Sequence, residues 1–209
     1  MEEYLNEREQ WERLLAGVRS QGPWLLAVVA ATAAAFGAWH YWQARGEQRA
    51  LDAASRYQQL LDAFSRNDLS GGVTIADNLV KDYASSAYAE QADLAAARVQ
   101  VENQELDRAG VRLTRVLQTT SDPGLALIAR LRLARVQLAQ GHPEDAIKTL
   151  DAVEPGAFAA RYAEARGDAL LAKGDREGAL KQYRAARATG TSTVDTGLLD
   201  LKINELTHS

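Results

Sequence analysis

The side chains that could perform catalysis or bind metals form no recognisable site in this sequence, because cysteine is absent, histidine is rare and the acidic residues are spread along the chain. It has no cysteine, which excludes disulfides, thiolate metal sites and a cysteine nucleophile. The three histidines, His40, His142 and His208, stand at the edge of an apolar segment, in a turn and in the tail, and their spacing matches no metal site. No G-x-S-x-G motif, H-E-x-x-H motif or phosphate-binding glycine loop occurs. The sequence therefore predicts a protein that is not an enzyme and that uses no metal or cofactor.

Charge and composition narrow the possible partners and the fold class. Lys and Arg number 24 and Asp and Glu number 28, so the net charge is −4. A nucleic-acid-binding domain would instead carry a basic stripe and a high pI. We expect neither a nucleic acid nor a small-molecule substrate. Proline is rare, with 4 residues, and alanine and leucine are frequent, which favours helices.

An uncharged segment, residues 22–42, dominates the N-terminal part of the chain. From Ser20 to Ala44 there is no Asp, Glu, Lys or Arg. A helix of this length spans roughly 31 Å, which matches the hydrocarbon core of a bilayer. Four aromatic residues near its ends are candidates for the membrane interface: Trp24, Trp39, Tyr41 and Trp42. The segment predicts one transmembrane helix in a lipid bilayer; a buried helix of a soluble protein and a cleaved signal peptide are the alternatives.

The segment before this span, residues 1–21, has the apolar spacing of a short amphipathic helix, and a frayed polar tail is the alternative. Gly22 and Pro23 are expected to end that helix before the membrane span begins. Three arginines flank the span on each side, so the positive-inside rule does not orient it. Residues 43–209 form the remaining domain.

A repeat of about 34 residues runs through this remaining domain. Four alanines recur at intervals of 33, 37 and 33 residues: Ala76, Ala109, Ala146 and Ala179. An apolar or aromatic residue follows each four positions later: Val80, Leu113, Leu150 and Tyr183. Three positions further stand Tyr83, Val116, Val153 and Ala186. A small residue followed by an apolar one at this period is typical of tetratricopeptide repeats, and a generic antiparallel helical bundle is the alternative.

These patterns predict an all-α protein: one N-terminal transmembrane helix, then a right-handed tetratricopeptide-like stack of helical hairpins with a C-terminal capping helix. The predicted helices of the stack are 43–66, 73–83, 87–103, 106–119, 124–140, 143–153, 158–173, 176–188 and 195–206. Asn67 to Gly72 is predicted to be a turn, and Pro143 suits the first turn of a helix. Asp195 is expected to cap the last helix.

The order of these parts resembles the YfgM family, ancillary subunits of the bacterial SecYEG translocon. The stretches that carry the resemblance are 37–42 (GAWHYW), 131–137 (LRLARVQ), 166–175 (RGDALLAKGD) and 202–206 (KINEL). The resemblance implies an inner-membrane protein with residues 1–21 in the cytoplasm and residues 43–209 in the periplasm. It also implies association with the translocon and with a membrane-anchored, prolyl-isomerase-type periplasmic chaperone.

Ligands of tetratricopeptide families often contact the first helix of each repeat, and this suggests partner-binding residues here. Aligning the repeats on Ala109, Ala146 and Ala179 places two inward positions on each first helix. The candidates are Leu94, Leu131 and Glu164 at one position and Arg98, Arg135 and Asp168 at the next. The alternative is that these side chains only brace neighbouring helices.

The sequence thus favours a membrane-tethered module that binds chaperones or emerging polypeptides beside a protein-conducting channel. A structural envelope scaffold that self-associates through the repeats is the competing hypothesis. Pairing of the membrane span through small residues such as Ala30, Ala34 and Ala38 is a third.

Overall fold

The computed structural model describes residues 3–189 and 194–208, and side chains from Trp24 onward except at residue 25. All regular structure in these residues is helical. The α-helices are α1 (Glu3–Ser65), α2 (Leu69–Asp82), α3 (Ala87–Glu102), α4 (Leu106–Thr119), α5 (Pro123–Ala139), α6 (Pro143–Asp151), α7 (Ala159–Ala172), α8 (Arg176–Ala188) and α9 (Thr196–His208). A 3₁₀ turn, Gly156–Phe158, precedes α7. The chain divides into two compact units, Met1–Asp52 and Ala53–Ser209.

The first helix is longer than the sequence predicts. α1 is continuous over 63 residues, so the expected break at Gly22 and Pro23 is wrong. A proline inside a helix removes one backbone hydrogen bond but does not by itself end the helix. The side chains of residues 1–23, on which the predicted amphipathic face depends, lie outside the described residues. Among the described residues, no helix combines the length and apolar character needed to cross a membrane.

Four helical hairpins form the second unit, and the apolar core passes from each to the next. The hairpins are α1–α2 (α1 contributing residues from Ala53 onward), α3–α4, α5–α6 and α7–α8. Each cluster of buried apolar side chains combines both helices of one hairpin with the first helix of the following one. In the last cluster, α9 takes the place of the next first helix. This is nearest-neighbour packing, as expected for a repeat protein.

The turn between the two helices of every hairpin, called the corner, has the same backbone geometry. One residue at each corner has a positive φ: Asn67, Gln104, Gly141 and Gly174. The next residue donates its backbone N–H to a carbonyl five residues earlier, at distances of 2.9, 2.7, 2.9 and 2.9 Å. This bond satisfies a carbonyl that the ending helix leaves free. Asp68 and Asp175 then cap the second helix of their hairpins through their carboxylates.

The corners show that the predicted alignment of the first hairpin is wrong by four residues. Gly72 lies five residues after Asn67, as Ala109 lies five after Gln104. Gly72, Ala76 and Leu79 are the buried residues of α2, whereas Val80 is only half-buried. Glycine is required at position 72 because a Cβ there would lie 2.2 Å from the Phe64 ring. The same shift explains why α2 begins at Leu69, inside the predicted turn.

The other three hairpins confirm the repeat. Ala109, Ala146 and Ala179 are at most 1% exposed, so they let the paired helices approach closely. Leu113, Leu150 and Tyr183 are equally buried, which places them between successive helices. Asp195 caps α9 as predicted, accepting hydrogen bonds from the backbone N–H groups of Gly197 and Leu198 at 2.9 and 3.1 Å.

Candidate functional site

Four of the six predicted partner-binding residues form a buried pair and an exposed pair, and the other two, Glu164 and Asp168, are half-buried. Leu94 and Leu131 are 7% and 4% exposed and belong to the apolar core between hairpins. Arg98 and Arg135 are exposed, with side chains 75% and 51% accessible to solvent. The two leucines therefore brace helices, whereas the arginines are available to a partner.

On α7, the two predicted acidic residues are held by the capping helix. Lys202 of α9 lies 3.2 Å from Glu164 and 2.7 Å from Asp168. Tyr183 donates a hydrogen bond to Asp168 at 2.8 Å. Burial, followed by this hydrogen bond and nearby acidic charges, raises the pKa of Tyr183 above its ordinary value. Glu164 and Asp168 thus tie α7, α8 and α9 together.

A groove opens between the first helices of the second and third hairpins. Its volume is about 390 Å³, within the usual range of ligand pockets, ~300–1,000 Å³. The apolar part of its lining, called the floor, includes Val101 and Ala139, which have surface open to solvent, and Leu113 of α4, which is 1% exposed. The lining residues, together called the arginine groove, are Ala97, Arg98, Val101, Glu102, Leu113, Arg132, Arg135, Val136 and Ala139.

The charges around this groove are unbalanced. Arg98 pairs with Glu102 at 2.8 Å, on the same helix. Arg135 is 4.0 Å from Glu164, at the limit of an ion pair. Arg132 donates to the Leu94 carbonyl at 3.5 Å and has no carboxylate partner among the described residues. Partial burial, then the positive charges of Arg98 and Arg135, lower the pKa of Arg132. Three arginines therefore face one acidic residue across an apolar floor.

The repeat geometry agrees with comparisons to known proteins. The tetratricopeptide repeat-like domain family matches residues 19–208. The chain is 32% identical to the ancillary SecYEG translocon subunit of Escherichia coli (strain K12) over 206 residues, 99% of each chain. The chain belongs to the YfgM family. A second relative of this family, the ancillary SecYEG translocon subunit of Haemophilus influenzae (strain Rd), is 29% identical over 87% of this chain and 88% of its own.

Solved structures show the fold at lower sequence identity. MamA (residues 41 to the end) from Desulfovibrio magneticus RS-1 superimposes with a TM-score of 0.56 at 14% identity. The match covers 74% of this YfgM-family chain and 93% of MamA. At this identity the likeness establishes the helical-hairpin stack and nothing about ligands.

One polar cluster in the YfgM-family domain was not predicted from the sequence. Arg112 is 6% exposed and contacts three side chains: Asp77 at 2.7 Å, Asp93 at 2.8 Å and Gln100 at 3.1 Å. Burial raises the pKa of Asp93, and Arg112 and Arg115 oppose that rise. The partners are 12 to 35 residues apart along the chain, so no local spacing indicates them.

The remaining chemistry-bearing residues form no further site in the described part of the chain. No group of three or more His, Asp or Glu residues there could hold a metal ion. His142 stands at the N-terminus of α6 without a side-chain capping bond. The predicted interface aromatics Trp24, Trp39, Tyr41 and Trp42 are exposed. His40 lies beside them against the Phe36 ring, 5.6 Å between centroids.

Proposed function

We propose that this protein is a non-enzymatic, membrane-anchored protein-interaction module of the SecYEG translocon. The observation that carries the proposal is the 32% identity, over 99% of both chains, to a protein named as an ancillary SecYEG translocon subunit. A tetratricopeptide-type stack adds a scaffold that binds proteins through exposed helix faces. The proposed site is the row of first helices, where Arg98 and Arg135 are accessible.

Residues 22–42 are proposed as the anchor, with residues 1–21 in the cytoplasm and residues 43–209 in the periplasm. The support is the lack of charge from Ser20 to Ala44 and the exposed aromatic residues Trp24 and Trp42 towards the two ends. Anchoring raises the effective concentration of the helical stack around membrane-bound partners without any new contact. A membrane-anchored, prolyl-isomerase-type chaperone is the proposed periplasmic partner, together with polypeptides leaving the channel.

Co-purification tests the association. Tagged full-length protein is extracted from membranes in mild detergent, and SecYEG is measured by immunoblot. We expect SecYEG to be recovered with the unmodified protein. A variant with Val29→Arg and Phe36→Arg should instead leave the membrane pellet and lose SecYEG, because charges at the centre of a span oppose insertion. Unmodified protein that is alkali-extractable, or that recovers no SecYEG, would refute the proposal.

Orientation is tested by single-cysteine labelling, which the cysteine-free sequence makes straightforward. Gln118→Cys places a thiol on an exposed position of α4, and Asn6→Cys places one before the proposed span. In intact spheroplasts, an impermeant maleimide should label the first variant, and lysis should be needed to label the second. The reverse pattern would put residues 43–209 in the cytoplasm.

A further inference from the structure

From α3 onward, the charges on the first helices and on α9 are matched at two junctions of the stack and unmatched at one. Between α5 and α7, Arg135 faces Glu164 at 4.0 Å. Between α7 and α9, Glu164 and Asp168 face Lys202 at 3.2 and 2.7 Å. Between α3 and α5, Arg98 of one helix instead faces Arg132 and Arg135 of the other across the arginine groove. Like charges in such proximity repel each other: after partial burial, the positive charges of Arg98 and Arg135 are the further causes of the lowered pKa of Arg132.

The unmatched junction also has an apolar floor. The floor is open to solvent at Val101, which is half-buried, and at Ala139, which is exposed, whereas Leu113 and Val136 are only 1% and 3% exposed. An apolar ligand group alone would leave the arginine repulsion in place, and a carboxylate alone would leave the floor in contact with water. A segment that carries both satisfies the site, because arginine binds carboxylates through paired N–H groups and apolar contact removes the floor from water.

We propose that the arginine groove binds an acidic segment of a partner protein with interspersed apolar residues, one that inserts apolar side chains between α3 and α5 and places carboxylates on Arg132 and Arg135. This inference rests on the proposed function as a protein-interaction module and names the partner chemistry of its site. The chain as a whole carries a net charge of −4, so general electrostatics would repel such a segment. A measured preference for an acidic segment would therefore come from the local positive charge of the arginine groove and not from the net charge of the chain.

The test measures binding of two defined peptides to the full-length protein in detergent by fluorescence anisotropy. The acidic probe is Gly-Asp-Leu-Glu-Asp-Leu-Glu-Gly with an N-terminal fluorophore, and the control probe replaces every acidic residue with lysine. We expect the acidic probe to bind about tenfold more tightly at low salt, the size expected from two or three partly exposed ion pairs. The preference should shrink as salt screens the charges.

Matched variants assign the binding to the groove. Arg132→Gln with Arg135→Gln should abolish the preference for the acidic probe. Arg176→Gln with Arg184→Gln removes the same charge from exposed positions of α8 and should leave the preference intact. Circular dichroism checks that both variants are folded. Arg98→Gln alone is a second groove variant, at a side chain that is 75% exposed.

Equal binding of both probes, no binding of either, or equal losses in the groove and α8 variants would overturn the inference. SecYEG co-purification is measured separately on the unmodified protein, so it distinguishes the two proposals. Recovery of SecYEG without acidic-peptide preference would refute the groove assignment alone. Absence of SecYEG would refute the proposed function, whatever the peptides show.

Discussion

At the residue scale, Arg112 joins three helices through one buried guanidinium. It bonds Asp77 of α2 and Asp93 of α3 from its own position on α4. We predict that Arg112→Met lowers the free energy of unfolding at neutral pH by about 3 kcal/mol, because it leaves the buried Asp93 with only the more distant Arg115. Arg108→Met on the same helix is the control; its side chain is 72% exposed, so the expected loss is under ~1 kcal/mol.

The decrease in the free energy of unfolding caused by Arg112→Met should also depend on pH. Arg112 opposes the burial that raises the pKa of Asp93, so its removal raises that pKa further above the ordinary 3.8. A carboxyl with a raised folded-state pKa contributes stability below its unfolded-state value and loses it as pH rises through the folded-state value. The deficit should therefore be smallest near pH 4 and grow towards neutral pH. Urea unfolding at several pH values checks this; a deficit that is constant with pH, or equal to that of Arg108→Met, would contradict it.

At the scale of elements, the distance between packed helices decides whether replacing a helical glycine with alanine raises or lowers the stability of the fold. A Cβ at Gly167 of α7 would lie 2.5 Å from the Tyr183 ring of α8. At Gly110 of α4 the nearest atoms, on Val136 and Leu133, would be 3.8 and 4.0 Å away, which is ordinary contact. Gly167→Ala should therefore destabilise the fold by about 2 kcal/mol through overpacking. Gly110→Ala should stabilise it by roughly 0.5–1 kcal/mol through helix propensity.

Thermal unfolding of the two alanine variants beside the unmodified protein tests this pair. The same substitution in two helices should shift the melting temperature in opposite directions. A higher melting temperature in both variants would mean that propensity, not the contact between α7 and α8, controls the response at Gly167, and a lower one in both would contradict the expectation for Gly110.

Helix ends with local signals could be predicted from the sequence, and contacts between distant residues could not. The bounds of α4 and α8 agree with prediction, because an alanine at a fixed place in the repeat and a corner before it locate each helix. The prediction for the first hairpin failed because Gly72 takes the role of that alanine. The predicted turn from Asn67 to Gly72 contains the left-handed residue Asn67 but does not show that α2 begins as early as Leu69. For the site, the exposed positions of Arg98 and Arg135 followed from the repeat. Arg132 did not, because its role depends on which charges face it from α3.

At the scale of the whole molecule, the open question is whether the helical stack binds other proteins or copies of itself. In the unit from Ala53 onward, the exposed large apolar residues among those described are Leu61, Val111, Leu198 and Leu201. They belong to three different helices, whereas a stable interface buries about 800 Å² on each partner. We therefore predict that the full-length protein in detergent stays monomeric over a roughly hundredfold range of concentration, since self-association would follow mass action.

Light scattering coupled to size-exclusion chromatography measures the protein mass after subtraction of detergent. If a dimer forms, two variants locate its interface. Val111→Glu places a charge on the exposed apolar residue of α4, and Gly37→Leu blocks close approach of α1 helices at a position with open space around it. Loss of a dimer in the first variant would favour the scaffold hypothesis, since the contact would lie in the repeats. Loss only in the second would place self-association in the proposed anchor, leaving the stack free for other partners.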